Sequence, residues 1–336
     1  MLKAGLIGFG GITGAHINGY TALEKLGKVR LTCAYDIDPA AFTKNKAINL
    51  GASDNSSKLS INFYTDLDKM LANEELDFVD ICVPTYKHKE LTILLLNRGY
   101  NVLCEKPMAL CYDDCVEMIE AAKKSGKELM IAQCLRFFPE YDYIKQVVDD
   151  GRYGKVLSAF FARLSPPPTW GWNNWFLDYN CSGGCLTDMH IHDVDMARYL
   201  FGEPEAASCI AKDECSRYAS AHTALIYNGI PVTAIGDWTR NGVPFTAECC
   251  VSFEGATVMY KDWTLKVYPK DGSEPFSPDI RKIDGYMGEI EYFCEVVSGS
   301  TKNTRNPAES AATTLKLIEV LIQSADKGGE ILPFVK

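Results

Sequence analysis

Lys3-Ala-Gly-Leu-Ile-Gly-Phe-Gly-Gly-Ile-Thr-Gly-Ala15 is the stretch on which the fold turns. A charged residue followed by an apolar run resembles a secretory leader, but the five glycines here do not suit a leader's continuous apolar core. A second reading accounts for them. Lys3 to Ile7 forms a short buried strand, Gly8-Phe9-Gly10-Gly11 a tight turn, and Ile12 onward a helix through Leu26.

Outward from this unit the chain alternates. Val29 to Tyr35 reads as a strand and Pro39 to Leu50 as a helix with proline in its first turn; Asp66 to Ala72 is a short helix and Asp77 to Val83 a strand. Lys87 to Arg98 is a helix closed by Gly99, Asn101 to Cys104 a strand, Asp113 to Ser125 a helix closed by Gly126, and Glu128 to Cys134 a strand. Such a βαβ series requires a mainly parallel, doubly wound sheet, whose ligand site lies at the carboxyl ends of the strands near the switch in strand order.

After about Pro139 the pattern changes. Val156 to Leu164, Ala206 to Cys215, Thr223 to Tyr227, Pro231 to Thr239, Thr246 to Phe253, Ala256 to Met259 and Thr264 to Tyr268 follow one another with short turns, as strands of a large, mostly antiparallel open sheet do. Helices near Asp188 to Phe201, Tyr286 to Val297 and Pro307 to Ala325 make this part α+β. The expected division is a dinucleotide-binding Rossmann domain over residues 1–125 and a substrate-binding and oligomerisation domain over 126–336.

Composition agrees with two domains in a chain of 336 residues. The net charge of −10, with no run of Lys or Arg, argues against nucleic-acid or anionic-membrane partners. Thirteen cysteines, odd in number and irregular in spacing, several inside apolar runs, read as buried thiols in a reducing, cytoplasmic compartment. No C-x-x-C occurs, so a structural zinc is not expected.

The first turn carries cofactor chemistry. Gly8-x-Gly10 lets backbone approach a pyrophosphate, and the N–H groups of Gly11, Ile12 and the helix behind them point at its charge. The third glycine of G-x-G-x-x-G falls on Thr13, with Gly14 one place late. Asp36, 22 residues beyond Gly14 at the end of the second strand, can accept both ribose hydroxyls. It would repel a 2′-phosphate, and no arginine stands beside it, which favours NAD over NADP.

Cys104-Glu105-Lys106-Pro107 follows the fifth strand expected above. Together with Gly8-Phe9-Gly10-Gly11-Ile12 upstream and Gly183-Gly184-x3-Asp188-x3-His192-x2-Asp195 downstream, it resembles the Gfo/Idh/MocA oxidoreductase family. Pro84 with His88, Arg136-Phe137-x-Pro139 and Gly329-Glu330-Ile331 extend the resemblance from end to end. The resemblance implies that Lys106 sits beside the nicotinamide and exchanges a proton, that Glu105, Pro84, His88 and Phe9 line the cofactor, and that Lys106-Pro107 is a cis bond. It also implies pairing as dimers or tetramers.

Thr187-Asp-Met-His-Ile-His-Asp-Val-Asp195 packs three aspartates and two histidines into nine positions. Thr187 reads as an N-cap, and Ile191, Val194, Ala197, Leu200 and Phe201 follow helical spacing. Asp188 and His192 then share a helix face. By resemblance His192 is the acid/base, Asp188 shapes the polyol pocket and Asp195 is structural. His190 points elsewhere. The competing reading, a metal-dependent hydrolase with both histidines on one ion, needs an extended segment that the apolar pattern opposes.

Pro166-Pro-Pro-Thr-Trp170-Gly-Trp172-Asn-Asn-Trp175-Phe176 suits either a sugar pocket or an oligomer arm. His88, Arg136, Tyr141, Trp170 and Asn173 are substrate-contact candidates beside Asp188 and His192. Three function classes stay open: an NAD-dependent dehydrogenase of a sugar or cyclitol, a glycoside hydrolase or lyase working through transient oxidation, and a non-catalytic cofactor-binding sensor. The set of Lys106, Asp188 and His192 speaks against the third.

Overall fold

The computed structural model, which describes residues 1–43 and 60–335, sets the first glycine turn between strand β1 (Leu2–Ile7) and helix α1 (Thr13–Lys25). The chain continues through β2 (Val29–Tyr35), β3 (Asn62–Tyr64), α2 (Leu67–Asn73), β4 (Phe78–Ile81), α3 (His88–Asn97), β5 (Asn101–Glu105), α4 (Tyr112–Ser125) and β6 (Leu129–Ala132). After these come α5 (Pro139–Asp150), β7 (Val156–Leu164), α6 (Tyr179–Ser182), α7 (Gly184–Asp188), α8 (Ile191–Phe201), β8 (Ala206–Lys212), β9 (Ser220–Tyr227) and β10 (Ile230–Asp237). The last elements are β11 (Thr246–Phe253), β12 (Ala256–Lys261), β13 (Thr264–Pro269), α9 (Gly285–Val297), α10 (Ala308–Asp326) and β14 (Leu332–Pro333). They fall into two units, residues 1–137 with 170–175 and 283–312, and residues 138–169 with 176–282 and 313–336. No helix of the described residues is long and apolar enough to cross a membrane.

The first unit is built on a six-stranded parallel sheet in the order β3-β2-β1-β4-β5-β6. The order reverses between β1 and β4, so the carboxyl ends of those strands open the crevice where such sheets bind ligands. β4 and β6 are buried at every position, as strands covered on both faces must be, and they read accordingly as near-continuous apolar runs. Gly126 at φ +67° closes α4 in the left-handed conformation that glycine tolerates best.

Three expectations change here. β6 is hydrogen-bonded to β5, so the stretch after residue 125 belongs with the first sheet rather than the second domain. The expected helix from Pro39 is a 3-10 turn, Pro39–Phe42, capped by the Asp38 side chain; its remainder lies outside the described residues. α9 clusters with the first unit although it follows the second sheet in sequence. It lies against α1 at Gly19, where an added Cβ would stand 3.2 Å from the Cα of Met287. Phe293 meets the Phe78 ring edge-on at 5.2 Å, and Ile290 is fully buried. Each such apolar side chain contributes roughly 1.5–3 kcal/mol by leaving water.

The second unit holds an eight-stranded sheet in the order β13-β12-β11-β7-β10-β9-β8-β14. Only β7 and β10 run parallel among its pairs. β11 alternates half-buried and buried residues along its whole length, the period-two pattern of a strand with one face on a core. α5 fell outside the elements expected from sequence. Pro139 at its first turn, Tyr141, Ile144 and Val147 on its buried side, and Gly151 at φ +64° after its end are nevertheless ordinary helix signals.

Candidate active site

The glycine turn is fixed by three kinds of contact. Gly8 donates its N–H to the Tyr35 carbonyl at 2.8 Å and adopts φ +89°; a Cβ there would meet the Cys82 carbonyl oxygen at 2.5 Å. Asp36 Oδ2 accepts the Phe9 N–H at 2.7 Å and Oδ1 the Asp38 N–H at 2.8 Å, so the carboxylate is tied to the turn it was expected to serve. The Phe9 ring points inward against Phe42 and Phe63, which leaves only its backbone for a cofactor. Gly10 is exposed with open space where a Cβ would be, beside half-buried Gly11 and Ile12. Thr13 stands in place of the third glycine: it is buried and its hydroxyl donates to the Gly10 carbonyl at 2.5 Å. This cradle fits a dinucleotide.

At the ends of β4 and β5 the expected residues part company. Lys106 is half-buried immediately after β5, and its bond to Pro107 is cis, as the resemblance implied. Glu105 is buried; Oε1 lies 2.8 Å from His16 Nε2, and Oε2 accepts the Lys106 N–H at 3.0 Å. Half-buried Pro84 opens a 3-10 turn over Thr85–Lys87. His88 does not face a cofactor or substrate. It is 1% exposed, Nδ1 lies 2.7 Å from the Pro107 carbonyl and Nε2 2.9 Å from the Val83 carbonyl, and burial pushes its pKa down. The ring is thus packed between the turn after β4 and the Lys106-Pro107 turn.

Arg136 and Tyr141 are likewise corrected as substrate contacts, because both are packed into their own units. Arg136 donates to the Arg305 carbonyl at 2.9 Å and to Ser310 Oγ at 2.8 Å. Tyr141, 2% exposed, accepts from Arg163 at 3.4 Å and lies edge-on to Tyr260. Trp170 and Asn173 stay at the surface, Asn173 with φ +50°.

The nine-residue window is not one helix starting at Asp188. Thr187 and Asp188 end α7, which starts at Gly184, and α8 begins only at Ile191 with His190 as its N-cap residue. Both His190 and Met189 donate their N–H groups to Cys185, a double use of one carbonyl that interrupts the i−4 ladder. Asp188 is buried and His192 half-buried, one on each side of the break. Asp195 accepts the Thr314 hydroxyl at 2.7 Å in the buried interior, consistent with a structural role.

His190 is a core histidine. It is fully buried, Nε2 lies 3.1 Å from Thr223 Oγ1, and Gly236 makes room for it, since a Cβ there would meet the His190 Cβ at 2.7 Å. Burial first, then the charges of Arg163 and His222, push its pKa from 6.5 down to about 3. Its contribution to stability is therefore full above pH 6.5 and lost as pH falls toward 3, because the unfolded imidazole takes its proton first. His190→Asn should remove up to about 1.4 kcal/mol per pH unit from the slope of unfolding free energy over that window. Urea titrations at several pH values check this; parallel slopes in both proteins would contradict it.

Sequence reasoning missed a buried polar cluster in the first unit: His16 on α1, Asp80 on β4 and Glu289 on α9, each 0% exposed, with Glu105. Among the described residues, groups of three His, Cys, Asp or Glu side chains close enough to share an ion occur only here. The available signal was Asp80 itself, an acid inside the otherwise apolar run Phe78-Val-Asp-Ile81.

Comparison with known proteins agrees with this geometry. Residues 2–133 match the oxidoreductase family with an NAD-binding Rossmann fold, and residues 141–272 match the GFO/IDH/MocA C-terminal domain. The 2,7-anhydro-N-acetylneuraminate hydratase of Escherichia coli K12 is 31% identical over 62% of this chain and 52% of its own length. The myo-inositol 2-dehydrogenase of Thermotoga maritima is 33% identical over 52% of each chain. These matches thus span about half the length of the curated relatives. The WlbA dehydrogenase of Bordetella pertussis, solved with NADH and UDP-GlcNAcA, superposes with a TM-score of 0.81 at 18% identity over 100% of this chain and 99% of that one, which shows a common fold. With both of its domains matched in order, the chain belongs to the GFO/IDH/MocA family of oxidoreductases.

Proposed function

We propose that this protein is an NAD-dependent dehydrogenase acting on a CH–OH group of a sugar or cyclitol. The observation that carries the reading is Asp36, an acid at the end of β2 bonded through both oxygens to backbone of the glycine turn and its own loop. A carboxylate so placed suits ribose hydroxyls and disfavours the phosphate of NADP. Oxidising a carbinol carbon releases a hydride and a proton, and the nicotinamide, when bound, accepts the hydride. The proton needs a side chain. Lys106, directly after β5, and His192, in the first turn of α8, are assigned to proton exchange, with Asp188 orienting the polyol.

A panel of cyclitols, aldoses and aryl glycosides, each followed by NADH absorbance, tests this. At least one cyclitol or aldose should generate NADH in proportion to ketone or lactone formed. The E. coli relative, named a hydratase, favours keeping a second reading, in which oxidation is transient and elimination or hydrolysis proceeds with no net NADH. Silence across the panel with either cofactor would contradict the dehydrogenase.

The cellular setting and assembly are part of the same proposal. All thirteen cysteines are free, which suits the cytoplasm. The eight-stranded sheet carries exposed apolar residues such as Leu157 and Ile210, which suits pairing as a dimer or tetramer. Light scattering at micromolar concentration should give a multiple of 37.3 kDa; a mass of a single chain would contradict assembly.

A further inference from the structure

The buried cluster beneath β5 has a definite charge requirement. His16 Nδ1 lies 2.8 Å from Asp80 Oδ2 and Nε2 lies 2.8 Å from Glu105 Oε1. An ionised carboxylate only accepts, so a ring bonded to one at each nitrogen must donate from both, and only the imidazolium does so. The surroundings agree. Tyr20 donates to Asp80 Oδ2 at 2.9 Å and the Cys82 thiol lies 3.6 Å from Oδ1, so Asp80 is held as an acceptor from three sides. Burial alone would lower the His16 pKa, yet the attraction of Asp80 and the other facing groups raises it well above the ordinary value.

Glu289, whose two oxygens are buried with no protein partner, places one of them within 4.8 Å of His16 and Glu105. Burial pushes its carboxyl well above the usual range, toward the neutral form. Asp284 and Tyr286, also from the α9 end, face the ring as well. The ring therefore sits between two carboxyl groups, and the second of these, Glu105, spends its remaining oxygen on the Lys106 N–H at 3.0 Å.

We propose that His16 is a positioning residue for Lys106: braced by Asp80, it clamps one oxygen of Glu105 and so fixes the other on the Lys106 backbone at the end of β5. This rests on the assignment of Lys106 to proton exchange. The clamp links α1, β4 and β5 through side chains wholly inside the protein, so it acts on the aim of Lys106 rather than on any ligand directly. Neither His16 nor Asp80 belongs to the glycine turn.

The first arm of the test uses the unaltered protein. Nitrogen-15 NMR of labelled histidines above the ordinary imidazole pKa, with the His16 signals assigned by their loss in His16→Gln, should show that ring protonated at both nitrogens. A neutral His16 ring under those conditions would overturn the proposal.

The second arm compares His16→Gln with His16→Gln/Asp80→Asn, with kcat expressed per NAD-binding site so that a loss of folded protein does not count. A glutamine can donate to Glu105 but turns its carbonyl toward Asp80; the second substitution relieves that repulsion by offering an amide. His16→Gln should lower kcat by about 10- to 100-fold, the scale of a small misplacement of a reacting group, with KM within a few-fold. The double variant should regain most of the loss. Unchanged kcat in His16→Gln, while Lys106→Met is inactive, would overturn the clamp and leave the assignment of Lys106 standing. Full turnover in Lys106→Met would instead remove that assignment. Where His16→Gln fails to fold, Glu105→Ala, which leaves the Lys106 N–H without its carboxyl partner, replaces it, with the same expected loss of kcat and the same contrary result.

Discussion

Lys106→Met and His192→Asn should each cut kcat by ~10²- to 10⁴-fold, the usual cost of removing a positioned acid or base. NAD affinity should stay within a few-fold in both, because neither residue lies on the glycine turn or beside Asp36. Loss should appear in rate rather than in cofactor binding. His190→Asn provides the internal contrast, since that ring is buried against Gly236 and bonded to Thr223, and its role is packing. A metal-dependent mechanism on this window would make both histidines equally necessary and would make activity sensitive to a chelator. Steady-state kinetics of the three variants, with and without chelator, together with NAD titrations, decide between the accounts. Equal loss in both histidine variants and under chelation would refute the assignment.

Asp36→Ala should narrow the preference for NAD over NADP by ~1.5–3 kcal/mol, roughly 10- to 150-fold, the worth of hydrogen bonds to a charged group. The ratio is the informative quantity. Asp36 also holds the Phe9 and Asp38 N–H groups, so its loss should loosen the turn and weaken both cofactors alike. That common loss cancels between NAD and NADP, and what remains is the ribose contribution together with the relieved repulsion of a 2′-phosphate. Calorimetric titration of both cofactors into both proteins measures it. Equal affinity of the unaltered protein for NAD and NADP would contradict the reading of Asp36.

The architecture of both units was legible because periodicity reports burial directly. Val29–Tyr35, Val156–Leu164 and Thr246–Phe253 form strands with the bounds their apolar patterns indicated. Failures came where tertiary context decides. β3 is three residues long and pairs with β2 only at its edge, too short to announce itself. The end of the first unit was set too early, and α9 was grouped with its sequence neighbours, because a helix that returns to an earlier sheet carries no local mark of its destination.

At the site, pattern reading located the residues that follow strands, whereas three side chains expected at the ligand are held inside the protein instead. Gly8, Gly10, Asp36 and Lys106 lie just past the carboxyl ends of β1, β2 and β5, positions that the alternation of strands and helices marks in the sequence. His88, Arg136 and Tyr141 carry the same functional groups, but their polar atoms are consumed by carbonyls, hydroxyls and charged partners that are distant in sequence. Pattern reading also treated Thr187 to Phe201 as one helix. Apolar spacing survives a one-turn interruption, so the break between α7 and α8 left no trace in it. His16 and Asp80 escaped notice for the converse reason: 64 residues separate them, and only the pairing of β1 with β4 brings α1 and β4 together.

Direct transfer of hydrogen from a carbinol carbon to NAD, as proposed above, leaves an isotopic record. The panel member that generates NADH is supplied with deuterium on its carbinol carbons, and the NADH formed is isolated and weighed by mass spectrometry. NADH should carry one deuterium per molecule, accumulating in step with oxidised product. Unlabelled NADH, or product released with NAD recovered unchanged and the deuterium returned to the sugar, would contradict it.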